Sequence, residues 1–91
     1  MTLNQVNGFY VTDLVYYILK KYPNIRYSNK YSVAKDEIID NSMSMDKEEQ
    51  LKFLATIISK AIELDRYGKK YFNETMRYDA ALHCMAACDL I

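Results

Sequence analysis

The chain has 91 residues, 51% of them hydrophobic, with 12 basic and 12 acidic side chains for a net charge of zero. That length makes a single domain over 1–91, and this balance of apolar and charged residues excludes a tail-like disordered chain. It also excludes a protein that coats DNA by bulk charge, and no stretch approaches the roughly 18 apolar residues of a membrane-spanning helix.

Two glycines and one proline are too few for a turn-rich β architecture. The expectation is an all-α fold, a compact bundle of about four helices preceded by a short N-terminal helix. Thr2 and Gln5 have the spacing of a capping box, with Leu3, Val6 and Tyr10 on one face of that first helix and Gly8 weakening it. The spacing of Leu14, Val15, Ile18 and Leu19 predicts a stronger helix over 12–22. Asp13 suits its first turn and Lys20 and Lys21 its last, and Pro23 ends it because Tyr22 cannot stay helical before a proline ring.

Residues 23–32 are polar and read as an ordered loop, with a very short hairpin around Ser28-Asn29 as the alternative. Ser32 then caps a helix over 33–42 that turns Val33, Ile38 and Ile39 to the core. After a linker at 41–46, Asp46 and Glu49 form an acidic capping box for a helix over 47–67. Leu51, Leu54, Ala55, Ile58 and Ile62 make one stripe on it and Phe53, Ile57, Ala61 and Leu64 another. An apolar arc that wide places this helix at the centre of the bundle. Gly68 sits where a C′ glycine belongs. A last helix spans about 70–89, with Phe72, Met76, Leu82, Met85 and Ala86 at helical spacing and Asn73 as a cap for a later start.

Residues with catalytic chemistry are sparse. His83, the only histidine, lies one turn after Asp79 and can pair with it, but no nucleophile shares that face. Asp79, His83, Cys84 and Cys88 sit on one helix and cannot converge tetrahedrally, so no metal is expected. Gly8 and Gly68 stand alone, which leaves no phosphate-cradling loop and no expected cofactor. Asp36, Glu37, Asp40, Asp46, Glu48 and Glu49 read as solvated charge. Cys84 and Cys88, four apart on a helix, read as buried thiols of a reducing compartment. The start of the chain lacks a basic region followed by an apolar stretch, so a cytoplasmic location is expected.

Two features rise above this background. Residues 14–35 hold five basic side chains and no acid, whereas 36–65 hold eight acids against three lysines. The basic stretch is interleaved with tyrosine, and Tyr16, Lys20, Lys21, Arg26, Tyr27, Lys30, Tyr31 and Lys35 are its candidate partner-binding residues. The second feature is a ridge of small residues, Ala80, Cys84, Ala87 and Cys88, that lets another helix approach closely, either within the bundle or in a homodimer. The resulting expectation is a small non-catalytic protein–protein interaction module, a regulator or inhibitor of the kind phages and plasmids encode. Abundant Tyr, Lys, Asn and Ile, whose codons are AT-rich, fit that origin. The alternative is a small dimeric nucleic-acid-binding regulator using segment 16–35. The roughly ten-residue loop inside that segment is too long for a helix-turn-helix.

Overall fold

The chain opens with a hairpin. In the computed structural model, which describes the backbone of residues 3–71 and 74–91 and the side chains among these outside 65–76, β1 (Gln5–Val6) pairs antiparallel with β2 (Phe9–Tyr10). The expected N-terminal helix is therefore replaced by strand. The reason lies at Asn7-Gly8, whose φ values of 53° and 83° are both positive, the requirement of the two-residue turn that matches strand twist. Val6 is buried, and the Asn7 side-chain amide donates to Ser59 Oγ at 2.7 Å, tying the turn to the third helix. The capping role read for Thr2 lies outside the described residues.

Helix α1 (Val11–Lys21) ends as its sequence predicts. Tyr22 leaves the helical region at φ −131° and ψ 77° ahead of Pro23, and its N–H closes the last turn on the Ile18 carbonyl at 2.7 Å.

The segment at 23–32 is not a loop throughout. Ile25–Tyr27 forms a 3-10 turn with Ile25 fully buried, and α2 runs from Asn29 to Ser42, four residues earlier at its start than expected. Its N-cap is Ser28, not Ser32. Ser28 Oγ accepts from the Tyr31 N–H at 3.2 Å and donates to the Ile25 carbonyl at 2.9 Å, so one hydroxyl joins the 3-10 turn to the helix. Ser28→Ala is expected to cost about 1 kcal/mol in urea unfolding, and Ser32→Ala, at an exposed helical position, only a few tenths. Equal costs would return the cap to Ser32.

Helix α3 (Lys47–Tyr71) begins at the expected cap, where Asp46 Oδ1 accepts from the Glu49 N–H at 2.8 Å. It continues through Gly68, so that glycine is not its C′ residue. One glycine costs a helix about 1 kcal/mol, which a long helix tolerates. Helix α4 spans Glu74–Leu90, starting later than residue 70, while Phe72 and the cap read at Asn73 lie outside the described residues.

Four helices packed as a bundle agree with the all-α expectation, but the central helix is α4 rather than α3. Helix α4 packs against α1, α2 and α3, and every residue from Cys84 to Cys88 is buried. Five successive buried positions go more than once round a helix, so α4 has no solvent face there. Helix α3 buries the narrower stripe Leu54, Ile58 and Ala61, with its other described apolar side chains half-buried. Small residues explain the exchange of roles, because alanine and cysteine let three neighbours approach one helix at once. The ridge Ala80, Cys84, Ala87 and Cys88 is buried within the chain. Among the described residues, no helix is long and apolar enough to cross a membrane.

Candidate binding surface

The basic, tyrosine-rich segment divides into two groups once folded. Arg26, Tyr31 and Lys35 gather near the end of α4 around Asp89. The Arg26 guanidinium grips that carboxylate with two bonds, Nε to Oδ2 at 3.0 Å and Nη2 to Oδ1 at 2.6 Å, and the Tyr31 hydroxyl donates to Oδ2. The Lys35 ammonium lies 5.8 Å from the Tyr31 ring centroid. Burial pushes Asp89 upward. The bonds from Arg26 and Tyr31, together with the charges of Arg26 and Lys35, outweigh it and hold the carboxyl below its ordinary value. Burial, with the neighbouring carboxylate, pushes the Tyr31 hydroxyl up to about 12.

Tyr31 is thus a core side chain, 7% exposed, and truncating it would remove packing before it removed any surface contact. Tyr27, next to Arg26 in the 3-10 turn, is 86% exposed and is the better surface probe. Lys30 is exposed with its ammonium 3.9 Å from the Asp79 carboxylate.

The second group lies on α1, where Tyr16, Tyr17, Lys20 and Lys21 are exposed. Asp13, Tyr17 and Lys21 recur at every fourth position and so form one edge of the helix. This edge, together with Phe9 from the hairpin, borders a groove of about 490 Å³ between α1, α3 and α4. Leu14, Ile18, Ala61, Ile62, Ala81 and Cys84 give it an apolar floor, and Tyr22 and Arg77 stand on its walls. The Tyr22 ring meets the Tyr78 ring edge-on, 5.1 Å between centroids, and fixes that wall. A concave apolar surface with a few charged groups at its rim is the form that receives apolar side chains of a ligand and orients them by charge. Of the candidate partner-binding residues read from sequence, Lys21 lines this groove, and Cys84 of the small-residue ridge lies in its floor. The legible signal was the fourfold spacing on α1 beside an exposed Phe9, but the groove itself needs three helices to form.

The remaining chemistry-bearing residues are dispersed. His83 is exposed, and its Nδ1 lies 2.7 Å from the Asp79 backbone carbonyl, so the ring N–H donates there and not to the Asp79 carboxylate. Cys84 and Cys88 are buried thiols, not half-cystines, and the hydrogen bond from Cys84 draws Cys88 down against the upward effect of burial. Among the described residues, no three His, Cys, Asp or Glu side chains gather in a way that would hold a metal ion.

No family model, curated protein or solved structure matches the chain.

Proposed function

We propose that the protein works by binding another protein, as a small non-catalytic regulator or inhibitor of the kind mobile genetic elements encode, and that the α1 groove is its site. The groove carries this reading. It offers an apolar floor bordered by exposed Phe9, Tyr17 and Lys21, a composition suited to the aromatic and aliphatic anchors that dominate protein interfaces. The state of the basic residues favours a protein over a nucleic acid. Arg26 and Lys30 face Asp89 and Asp79, so part of the charge that would track phosphates is neutralised within the chain. Two buried thiols outside any disulfide suit a reducing compartment, and a cytoplasmic location follows as part of the proposal.

The test is capture of a stoichiometric protein from nuclease-treated host lysate by tagged protein. Tyr17→Ser combined with Lys21→Glu is expected to weaken capture about 10–100-fold, as the loss of two rim contacts would. Lys30→Glu, away from the groove, is expected to leave it unchanged. Capture that disappears with nuclease, with an affinity falling at a log–log salt slope of about −4 to −5 on duplex DNA, would replace this reading with the nucleic-acid-binding one.

A further inference from the structure

The outward face of α2 is not an ordinary solvated face. Val33, Ile39 and Met43 are 57%, 39% and 74% exposed. At the helical turn of about 100° per residue they share an arc of about 120° with Asp36 and Asp40. Ala34, Ile38 and Tyr31 occupy the opposite side and are buried in the core. The result is an apolar stripe set among carboxylates. Its acidity continues into the start of α3, because residues 36–49 hold six acids against Lys47 alone.

The α1 groove has the complementary character. Its floor is apolar, Lys21 and Arg77 stand at its margins against the single acid Asp13, and Lys20 is exposed beside it on α1, so its charge is positive on balance. The α2 stripe points away from the core on which α2 packs, so it cannot reach the groove of its own chain.

Resting on the reading of the groove as a protein-binding site, we propose that its occupant is a second copy of this chain. The outward face of α2 in one copy lies in the α1 groove of the next. Met43 and Ile39 enter the apolar floor and Asp36 and Asp40 face Lys21 and Lys20, a helix-in-groove contact. Donor and acceptor surfaces differ, so the contact is head-to-tail. Each copy keeps one unused surface of each kind, and association proceeds until a ring closes or the chain of copies ends. The carboxylates of the α2 stripe and the lysines beside the groove attract one another, and added salt weakens the contact.

The experiment is sedimentation velocity on the full chain across a concentration series at low salt, with two variants. Ile39→Asp/Met43→Asp removes the donor stripe, and Tyr17→Ser/Lys21→Glu removes the acceptor rim. All four positions are exposed, and circular dichroism checks that both variants fold. The parent chain is expected to grow beyond a dimer with concentration. Each variant alone is expected to associate about 100-fold more weakly. An equimolar mixture of the two is expected to form a one-to-one dimer and nothing larger, since it contains one intact donor and one intact acceptor. A parent that stays monomeric to millimolar concentration, variants that associate like the parent, or a mixture that yields no dimer would each overturn the proposal. If the groove variant alone then loses capture of a different protein while the stripe variant keeps it, the groove reading stands without self-association.

Discussion

Asp89→Ala is expected to destabilise the fold by about 2–4 kcal/mol in urea unfolding. The Tyr31 hydroxyl, on a buried side chain, loses its charged acceptor, at about 1–3 kcal/mol for an unsatisfied polar group. The Arg26 bond adds less, about 1 kcal/mol, because its guanidinium is 42% exposed and water screens the pair. Stability should also respond to pH in two separate ranges. Asp89 is held below its ordinary value, so its contribution is complete above about pH 4 and is lost as pH falls through the lowered native value. Tyr31 is pushed up to about 12, so its contribution is complete below the usual tyrosine value of about 10. It is lost as pH rises between those two values. Between the acid and alkaline ranges the clamp should contribute a plateau. Tyr31→Phe should flatten the alkaline limb and shrink the acid limb without removing it, because Asp89 loses the bond from Tyr31 and keeps those from Arg26. Asp89→Asn should flatten the acid limb. Unfolding curves of the parent and the two variants with the same pH profile would show that the clamp does not couple to folding.

The clamp also shows where reading from sequence stops. Tyr31 and Asp89 are separated by 58 positions, and no local pattern announces that they meet. Within the basic segment Tyr31 looks like Tyr27, yet one is buried and the other open to solvent. Local signals served well where one mechanism acted alone. Pro23 ended α1, and Asp46 capped α3, because backbone restriction and a side-chain cap each act over a few residues. They failed where a second signal overrode the one read. Thr2 and Gln5 fit a capping box and Gly8 was read only as weakening a helix, whereas the two positive φ angles of Asn7-Gly8 make a hairpin turn. Ser32 was read as the cap, yet Ser28 takes that role, and burial of Ile25 favours it because a 3-10 turn places that side chain in the core. The groove had no sequence signature beyond its α1 edge, since it exists only where α1, α3 and α4 converge.

The largest expected loss of stability belongs to the centre of α4. Met85 is fully buried, with α4 packed on three other helices. Met85→Ala should cost about 2–5 kcal/mol, the transfer of the lost methylenes plus the cavity left behind. A domain of this size has roughly 5–15 kcal/mol of stability at most, so one such change can remove a large share of it. In thermal unfolding the midpoint should fall by about 10–30 °C. Met85→Leu keeps the volume nearly constant and should cost less than about 1.5 kcal/mol. That contrast separates a cavity from mere sensitivity of the site. Ala87 tests the same helix from the other direction. It is fully buried on the small-residue ridge, and Ala87→Leu forces a larger side chain into a crossing built around a methyl group. A loss of about 1–3 kcal/mol is expected, with no change in the self-association attributed to the α1 groove. The separation matters because both features were candidates for meeting another chain. If Ala87→Leu leaves stability intact but shifts the oligomeric state, the ridge faces a second copy rather than the core, and α4 is not the central helix of the bundle.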